Sequence, residues 1–413
     1  MNILLLSQYF WPESFIINDL VKTLRDAGHH VVVATGKPNY PEGRVFDGYR
    51  ADGVQREVFD GDIEVCRVPL RPRGQGGLNL FLNYLSFVWS GLRWFPTLLR
   101  AHRFDAIIVF AVSPITMAIP AIALRRQQQA HLAIWVQDLW PESLAATGYI
   151  RSRLILRMVG WMVRAIYSHA DTILVQSKAF IAPVSRFAQP GKIVYYANSV
   201  ADRPSETAED GGLPPSLVAL LRSYFCVVFT GNIGTAQAVD TLVEAASRFR
   251  ELPDVRLVLV GSGSMLDWAK RRVSELNLEN VVMPGRLPAH SMPGIYRDAA
   301  CLVVSLRDEE IFSYTVPAKV QAYLAAGRPI IACLNGEGAR IVSEAKAGLT
   351  CAAGDAAALA DCVRSLHTMP AEERARMGAA GRQYFLEHYE MGRQAKHLVD
   401  ILEQRIAQGG RQE

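Results

Sequence analysis

The chain has 413 residues, half of them apolar and a fifth charged, which at roughly 150 residues per domain makes two to three cores and excludes a disordered chain. A formal net charge of +4 gives no ground for a nucleic-acid partner. The six cysteines (Cys66, Cys226, Cys301, Cys333, Cys351 and Cys362) form no Cys-x-x-Cys pair and lie mostly in apolar runs. That pattern suits buried thiols in a reducing compartment, and neither a disulfide framework nor a zinc site.

From the start of the chain, residues 3–7 read as a strand, 16–27 as a helix with Gly28 as a C-cap, and Val31–Thr35 as the next strand. The apolar run behind Met1 is too short for a secretory leader and has no basic flank. The Val54–Phe59 and Ile63–Val68 runs flank Asp60-Gly61-Asp62, which predicts a hairpin turn rather than a metal-holding Asp-x-Asp. Ala106–Leu124 carries no charge over 19 residues. Its Ile107–Phe110 run, Ser113-Pro114 and Pro120 nevertheless predict a strand, a Ser-Pro helix start and a buried helix, not a membrane span. Further strands are predicted at 132–136, 172–176, 225–230, 256–260, 301–305 and 329–333, each followed by a helical segment.

Alternating strands and helices predict parallel sheets covered on both faces. Asp202–Pro215, acidic and rich in Pro and Gly, divides the chain. The expected organisation is therefore residues 1–201, a linker at 202–215, a second α/β domain at 216–388, and a helical end with a polar tail at 389–413. In open α/β sheets, ligands gather beyond the carboxyl ends of the strands, where loop amides and helix N-termini converge.

The unusual residues fall in such loops. Tyr9-Phe10-Trp11-Pro12-Glu13-Ser14 follows the first strand, and Gln137-Asp138-Leu139-Trp140-Pro141-Glu142-Ser143 follows the strand at 132–136. The shared Trp-Pro-Glu-Ser predicts two carboxylates facing one cleft; an aromatic-lined turn with Ser14 capping a helix is the plainer alternative. In the second half, Gly231-Asn232-Ile233-Gly234-Thr235-Ala236-Gln237 leads to a helix expected near Val239, and Gly261-Ser262-Gly263-Ser264 follows the next strand. Two successive glycine loops favour a phosphate-bearing ligand over turns that need glycine only sterically. The segment Ser313-Tyr314-Thr315-Val316-Pro317-Ala318-Lys319-Val320-Gln321 places Lys319, one of only 8 lysines, on a largely apolar helix. Its charge either snorkels to solvent or meets a diphosphate. The nine histidines show no metal-ligand spacing, so no metal is expected.

Two Trp- and Leu-rich segments carry basic edges. Leu78–Leu99 is flanked by Arg71, Arg73, Arg93, Arg100 and Arg103, and Arg151, Arg153, Arg157 and Arg164 stud a helix with Trp161 and Met162. This composition fits either an interfacial patch on anionic lipid or domain packing with a solvated Arg rim.

At Tyr9-Phe10-Trp11-Pro12-Glu13, Asn39-Tyr40-Pro41, Gln137–Ser143, Gly231-Asn232-Ile233-Gly234 and Pro317-Ala318-Lys319, the sequence resembles the GT-B glycosyltransferases of retaining family 4. Within that family it is similar to bacterial enzymes of the colanic-acid fucosyltransferase and L-fucosamine transferase type. The resemblance implies two Rossmann-like doubly wound domains facing a central cleft, with the last helix crossing back to the first domain. It implies a nucleoside-diphosphate sugar, UDP the expected nucleotide, on the second half, with no cofactor or metal required. The first half would hold a polyprenyl-diphosphate-linked or other glycan acceptor. A fucose- or N-acetylfucosamine-type sugar would then be transferred with retained configuration in O-antigen, capsule or exopolysaccharide synthesis, on the cytoplasmic face of the membrane.

Carried over residue by residue, the catalytic candidates are Asp138, Glu142 and Lys319. The donor set is Gly231, Asn232, Gly234, Gln237, Gly261, Ser262, Gly263, Arg286, Arg307, Ser313, Tyr314, Thr315, Lys319 and Gln321, and the acceptor set is Tyr9, Trp11, Glu13, Ser14 and Trp140. The chain departs from the family pattern at five positions in three motifs. The Glu-x7-Glu pair falls on Tyr314 and Ala322, the cationic pair of the first glycine loop on Asn232 and Gln237, and the first-domain His on Gln137. A nucleotide-sugar 2-epimerase of the same fold stays open as an alternative, and so does a non-catalytic membrane-associated assembly protein, which the missing Glu pair keeps open. A dinucleotide dehydrogenase is disfavoured, because Gln8-Tyr9-Phe10-Trp11-Pro12 is not Gly-x-Gly-x-x-Gly.

Overall fold

The structure, a computed structural model, describes residues 1–74, 76–146, 152–202 and 212–409. Most of the expected linker (203–211), Arg151 of the basic helix and the last residues of the tail lie outside the described residues. The chain forms two compact units, Met1–Ser199 with Met391–Glu413, and Val200–Glu390.

The first unit is built on eight strands: β1 (Asn2–Leu6), β2 (His30–Gly36), β3 (Gln55–Phe59), β4 (Ile63–Val68), β5 (Ala106–Ala111), β6 (His131–Val136), β7 (Thr172–Val175) and β8 (Ile193–Tyr195). They run in the order β3-β4-β2-β1-β5-β6-β7-β8, parallel except where β3 pairs antiparallel with β4. β1 and β5 are buried along nearly their whole length, the pattern of central parallel strands covered on both faces. On one face lies the Ile16–Asp26 helix, whose buried Ile17, Leu20, Val21 and Leu24 recur at helical spacing. The Met391–Gly409 helix packs against it through a face that includes Leu398, Val399 and Leu402. Asp60 and Gly61 both take positive φ, and Arg25 holds the Asp60 and Asp62 carboxylates at 2.8 Å each. The Asp-Gly-Asp triplet is thus a clamped hairpin turn, as expected.

Ala106–Leu124 is β5, a short 3-10 turn and the start of the Ala118–Gln128 helix. That helix touches both the Gly77–Leu98 and Arg153–His169 helices. Gly91 allows part of this approach, because a Cβ there would lie 2.7 Å from Pro120. No helix among the described residues is long and apolar enough to cross a membrane.

The second unit has six parallel strands: β9 (Phe225–Asn232), β10 (Val255–Ser262), β11 (Val281–Gly285), β12 (Cys301–Ser305), β13 (Ile330–Cys333) and β14 (Gly348–Cys351). Their order is β11-β10-β9-β12-β13-β14, which places β9 and β12 beside each other at the centre, where the direction of winding reverses. A helix begins at Pro215, the last residue of the expected linker.

Candidate functional site

In the second unit, the glycine loops after β9 and β10 are bound to each other. Gly231 and Ser262 stand opposite Gly261 and Asn232 in register, and the Ile233 N–H donates to the Ser262 carbonyl at 2.8 Å. A Cβ on Gly261 would fall 1.8 Å from the Gly231 oxygen, and one on Gly263 would fall 2.3 Å from the Ile233 oxygen. These two glycines are therefore required by the approach of loop to loop.

Gly231 has a different reason. A Cβ there would lie 2.8 Å from Cε of Lys319, so the missing side chain leaves the space through which this lysine runs. The Lys319 ammonium ends 3.8 Å from the centre of the Phe229 ring, and burial pulls its pKa down from 10.5 to about 8. It makes no ion pair among the described residues, so its charge rests on the aromatic face of β9. The Ala318–Ala326 helix begins one residue before Lys319, behind Pro317.

The cations expected in the first glycine loop are indeed replaced by amides that satisfy each other. Asn232 donates to Gln237 at 3.1 Å across Gly234. Arg307 is spent locally: it donates to the Thr235 carbonyl at 2.8 Å and lies 3.6 Å from Asp240. Arg286, just past β11, is exposed. Ser313 donates to the Glu310 carbonyl at 2.7 Å, Tyr314 to the Glu310 carboxylate, and Thr315 to Ile311 at 3.3 Å. These three therefore shape their own short helix. Gln321, a member of the expected donor set, is only 2% exposed, because its position on the helix faces the domain interior.

In the first unit, Asp138 is half-buried beyond β6 and accepts hydrogen bonds from Ser113 N at 2.9 Å and Ser113 Oγ at 2.7 Å. Trp140 Nε1 donates to the same hydroxyl at 3.1 Å. Asp138, Ser113 and Trp140 are thus one polar group at the ends of β5 and β6. Glu142 is ion-paired with Arg186.

Glu13 departs from the expectation of two carboxylates facing one cleft and is the buried member of the plainer, aromatic-lined turn. It is 2% exposed and accepts from the backbone N–H groups of Phe10 (3.0 Å), Asn39 (2.8 Å) and Tyr40 (2.7 Å). Burial pushes its carboxyl up to about 7, against the pull of those three donors and of Arg67. Tyr9 is likewise buried, packed with Phe15 and Tyr40 at 5.7 and 5.5 Å. Ser14 is exposed and does not cap the following helix, whose N-cap is Phe15. Trp11 remains partly exposed, against Phe59.

Sequence reasoning missed Arg67. It is fully buried on β4 and donates to the Gly36 carbonyl at 2.9 Å, to the Trp11 carbonyl and to Glu57. An Arg in an alternating strand reads as solvent-facing, so nothing in the sequence marks it as the second fastener of the loops after β1 and β2. Phe229 under Lys319 was equally hidden inside an apolar strand. No group of three or more His, Cys, Asp or Glu among the described residues could hold a metal ion.

The same unit presents an apolar surface. Leu78, Phe81, Leu85, Trp89 and Leu92 are exposed along the Gly77–Leu98 helix, and Leu154, Ile155, Met158 and Trp161 along the Arg153–His169 helix. Trp89 is 74% and Trp161 64% exposed. Arg71, Arg93, Arg100, Arg103, Arg153, Arg157 and Arg164 are exposed around them, and Arg73 is half-buried over the Tyr40 ring. No Asp or Glu occurs from Arg71 to Phe104 or from Ser143 to Ala170.

Comparison with known proteins agrees with this geometry. Residues 15–199 match the model of the glycosyl transferase 4-like domain, and residues 225–369 that of glycosyl transferases group 1. The chain is 24% identical over 323 residues to the colanic acid biosynthesis glycosyl transferase WcaI of Escherichia coli (strain K12), covering 75% of this chain and 76% of that protein. Its fold is similar to sucrose-phosphate synthase from Thermosynechococcus elongatus (TM-score 0.72, 19% identity, 98% and 99% of the two chains). It is similar also to Anabaena HepE in complex with UDP (TM-score 0.67, 14% identity, 98% and 100%). The two domain models lie one on each α/β unit, and the chain belongs to the group 1, 4-like glycosyltransferases of GT-B fold.

Proposed function

We propose that this glycosyltransferase moves a sugar from a nucleoside diphosphate, UDP the expected nucleotide, to a lipid-linked glycan acceptor in the assembly of a surface polysaccharide. The sugar class we favour is a fucose- or N-acetylfucosamine-type 6-deoxy sugar, transferred with retained configuration and without a metal. The observation that carries the reading is Lys319, a half-buried ammonium with no carboxylate partner among the described residues, laid over the first glycine loop. Breaking the sugar–phosphate bond puts negative charge on the departing diphosphate, and a fixed cation there stabilises the transition state more than the ground state. The Asn232–Gln237 amide pair supplies no such charge. WcaI by its name, and HepE by the UDP in its structure, support the substrate classes.

The acceptor is assigned to the first unit, with Asp138 steering its hydroxyl and the Trp89 and Trp161 surface resting on anionic lipid at the inner face of the cytoplasmic membrane. Exposed Trp and Leu with a rim of Arg and no acidic residue suit an interfacial patch. The test is a thermal-shift screen of UDP-, GDP- and dTDP-sugars, followed by incubation of the stabilising donor with and without a lipid-linked glycan. A ligand at 100 times its dissociation constant adds about 2.7 kcal/mol of stability. Sugar transfer that requires the acceptor supports the reading; a changed sugar without acceptor makes the chain an epimerase, and neither outcome makes it a non-catalytic assembly protein.

A further inference from the structure

At the centre of the second sheet, β9 outruns its neighbour β12. The two strands pair at Val227 with Cys301 and at Val228 with Leu302, whereas β9 pairs with β10 as far as Asn232. The Cys226 carbonyl accepts the Ala300 N–H and so faces β12. By alternation along the strand, Val228 and Thr230 face the same side. The Thr230 N–H therefore points to where the pairing with β12 has already ended. Thr230 is 4% exposed, and a buried N–H left without a partner is costly.

Tyr323 supplies that partner. Its hydroxyl oxygen accepts the Thr230 N–H at 3.1 Å and lies 3.2 Å from the Thr230 hydroxyl. The Tyr296 hydroxyl lies 2.8 Å from the same Thr230 oxygen, and the two tyrosine rings meet edge to face at 5.4 Å. Tyr323 is fully buried on the Ala318–Ala326 helix. It stands four residues beyond Lys319, so the two side chains share a helix face. The helix is thus pinned to β9 at Thr230. On one side of that residue is Phe229, whose ring carries the Lys319 ammonium; on the other is Gly231, past which the lysine chain runs.

On the reading that Lys319 meets the departing diphosphate, we propose that Tyr323 is a positioning residue for Lys319, its bond to Thr230 holding the ammonium in place beside the first glycine loop. A lysine carries its charge on a flexible four-carbon stem, so the position of its helix decides where that charge falls. Removing the Tyr323 oxygen leaves the Thr230 N–H unpaired and frees the helix to shift along β9.

The full-length protein is titrated calorimetrically with UDP, which carries the terminal phosphate that Lys319 would meet, and with UMP, which lacks it. Tyr323→Phe keeps the ring and should stay folded by circular dichroism. It should bind UDP roughly tenfold more weakly and UMP within about twofold of wild type, the scale of one hydrogen bond to a charged group. In the Lys319→Ala background the same substitution should add almost nothing, because the group it positions is gone. Tyr296→Phe, at a half-buried ring, loosens the network from its outer end. It should show the same UDP-selective, Lys319-dependent loss on a smaller scale, so the test stands even if Tyr323→Phe does not fold. Equal weakening of UDP and UMP, or an undiminished loss in the Lys319→Ala background, would make Tyr323 a structural residue only and overturn the proposal. Wild-type UDP affinity in folded Tyr323→Phe would do the same. Lys319→Ala that binds UDP as wild type does would instead overturn the reading of Lys319, and the role of Tyr323 with it.

Discussion

The Glu13 carboxylate accepts the Asn39 backbone N–H at 2.8 Å, which fastens the loop after β1 to the loop after β2. Because the same carboxylate also takes the N–H groups of Phe10 and Tyr40, Glu13 holds these two loops, the proposed acceptor surface, in shape. Glu13→Gln keeps one acceptor oxygen of two, leaving at least one buried N–H unpaired at a cost of about 1–3 kcal/mol. The expected outcome is a Tm lower by several degrees and a higher acceptor KM, with donor binding unchanged. A carboxyl raised to about 7 in the fold, from 4.5, binds more protons folded than unfolded between those values. Its contribution is therefore present below about 4.5 and lost as pH rises through about 7. Urea titrations at both ends of that window should show a smaller pH dependence in Glu13→Gln than in wild type.

Gly261 tests whether the glycine loops need each other. A methyl group at this position, with φ +147 and the Gly231 oxygen 1.8 Å away, cannot be accommodated without separating β9 from β10 at their ends. Gly261→Ala should destabilise the protein by roughly 2–4 kcal/mol and abolish thermal stabilisation by the donor. Gly191→Ala, at a glycine with ordinary φ and open space around it, is the control, and should leave donor binding intact.

Asp138 is bound to both donors of Ser113, so its loss has a structural and an electrostatic component. Asp138→Asn should lower kcat by about two orders of magnitude if the carboxylate assists the acceptor hydroxyl, which is the usual scale of general-base help. Ser113→Ala removes the hydroxyl but keeps the Ser113 N–H bond and the charge, and should cost tenfold or less by the same scale. Equal losses in the two variants would mean that Asp138 acts only by holding Ser113 and Trp140.

The apolar surface of the first unit makes a salt-dependent prediction. Wild-type protein should sediment with anionic vesicles and be released as salt rises, since charge attraction is screened over about 8 Å at physiological ionic strength. The double variant Trp89→Glu/Trp161→Glu should stay in solution with an unchanged Tm, because both rings already face solvent. Equal binding to neutral vesicles would remove the electrostatic part.

The architecture was largely legible in the sequence because central parallel strands need continuous apolar runs, as in Leu4–Leu6 and Ile107–Phe110. The strands that escaped, β8, β11 and β14, all lie at sheet edges and are only partly buried. An edge strand can be short and mixed in composition and still pair. At the site, Lys319 stood out because a lysine on an apolar helix demands an outlet. Glu13 misled because its partners are backbone N–H groups, two of them from a loop at least 26 residues away in the chain, which no side-chain pattern records. Arg67 was invisible for the same reason, since two of its partners are carbonyls.

The central claim is that Lys319 neutralises the departing diphosphate, and its depressed pKa gives the claim a signature in pH. The ammonium is charged below about 8 and is lost above it, so wild-type kcat/KM for the donor should fall as pH rises through that value. Lys319→Ala should lose two to three orders of magnitude in turnover, about 3–4 kcal/mol, with its fold retained. Lys319→Arg should recover part of that turnover and lose the alkaline fall, because a guanidinium stays charged. The decisive measurement is the pH profile of kcat/KM for these three proteins with the donor found by thermal shift. A folded Lys319→Ala protein with near wild-type turnover, or an alkaline fall that persists in Lys319→Arg, would contradict the account.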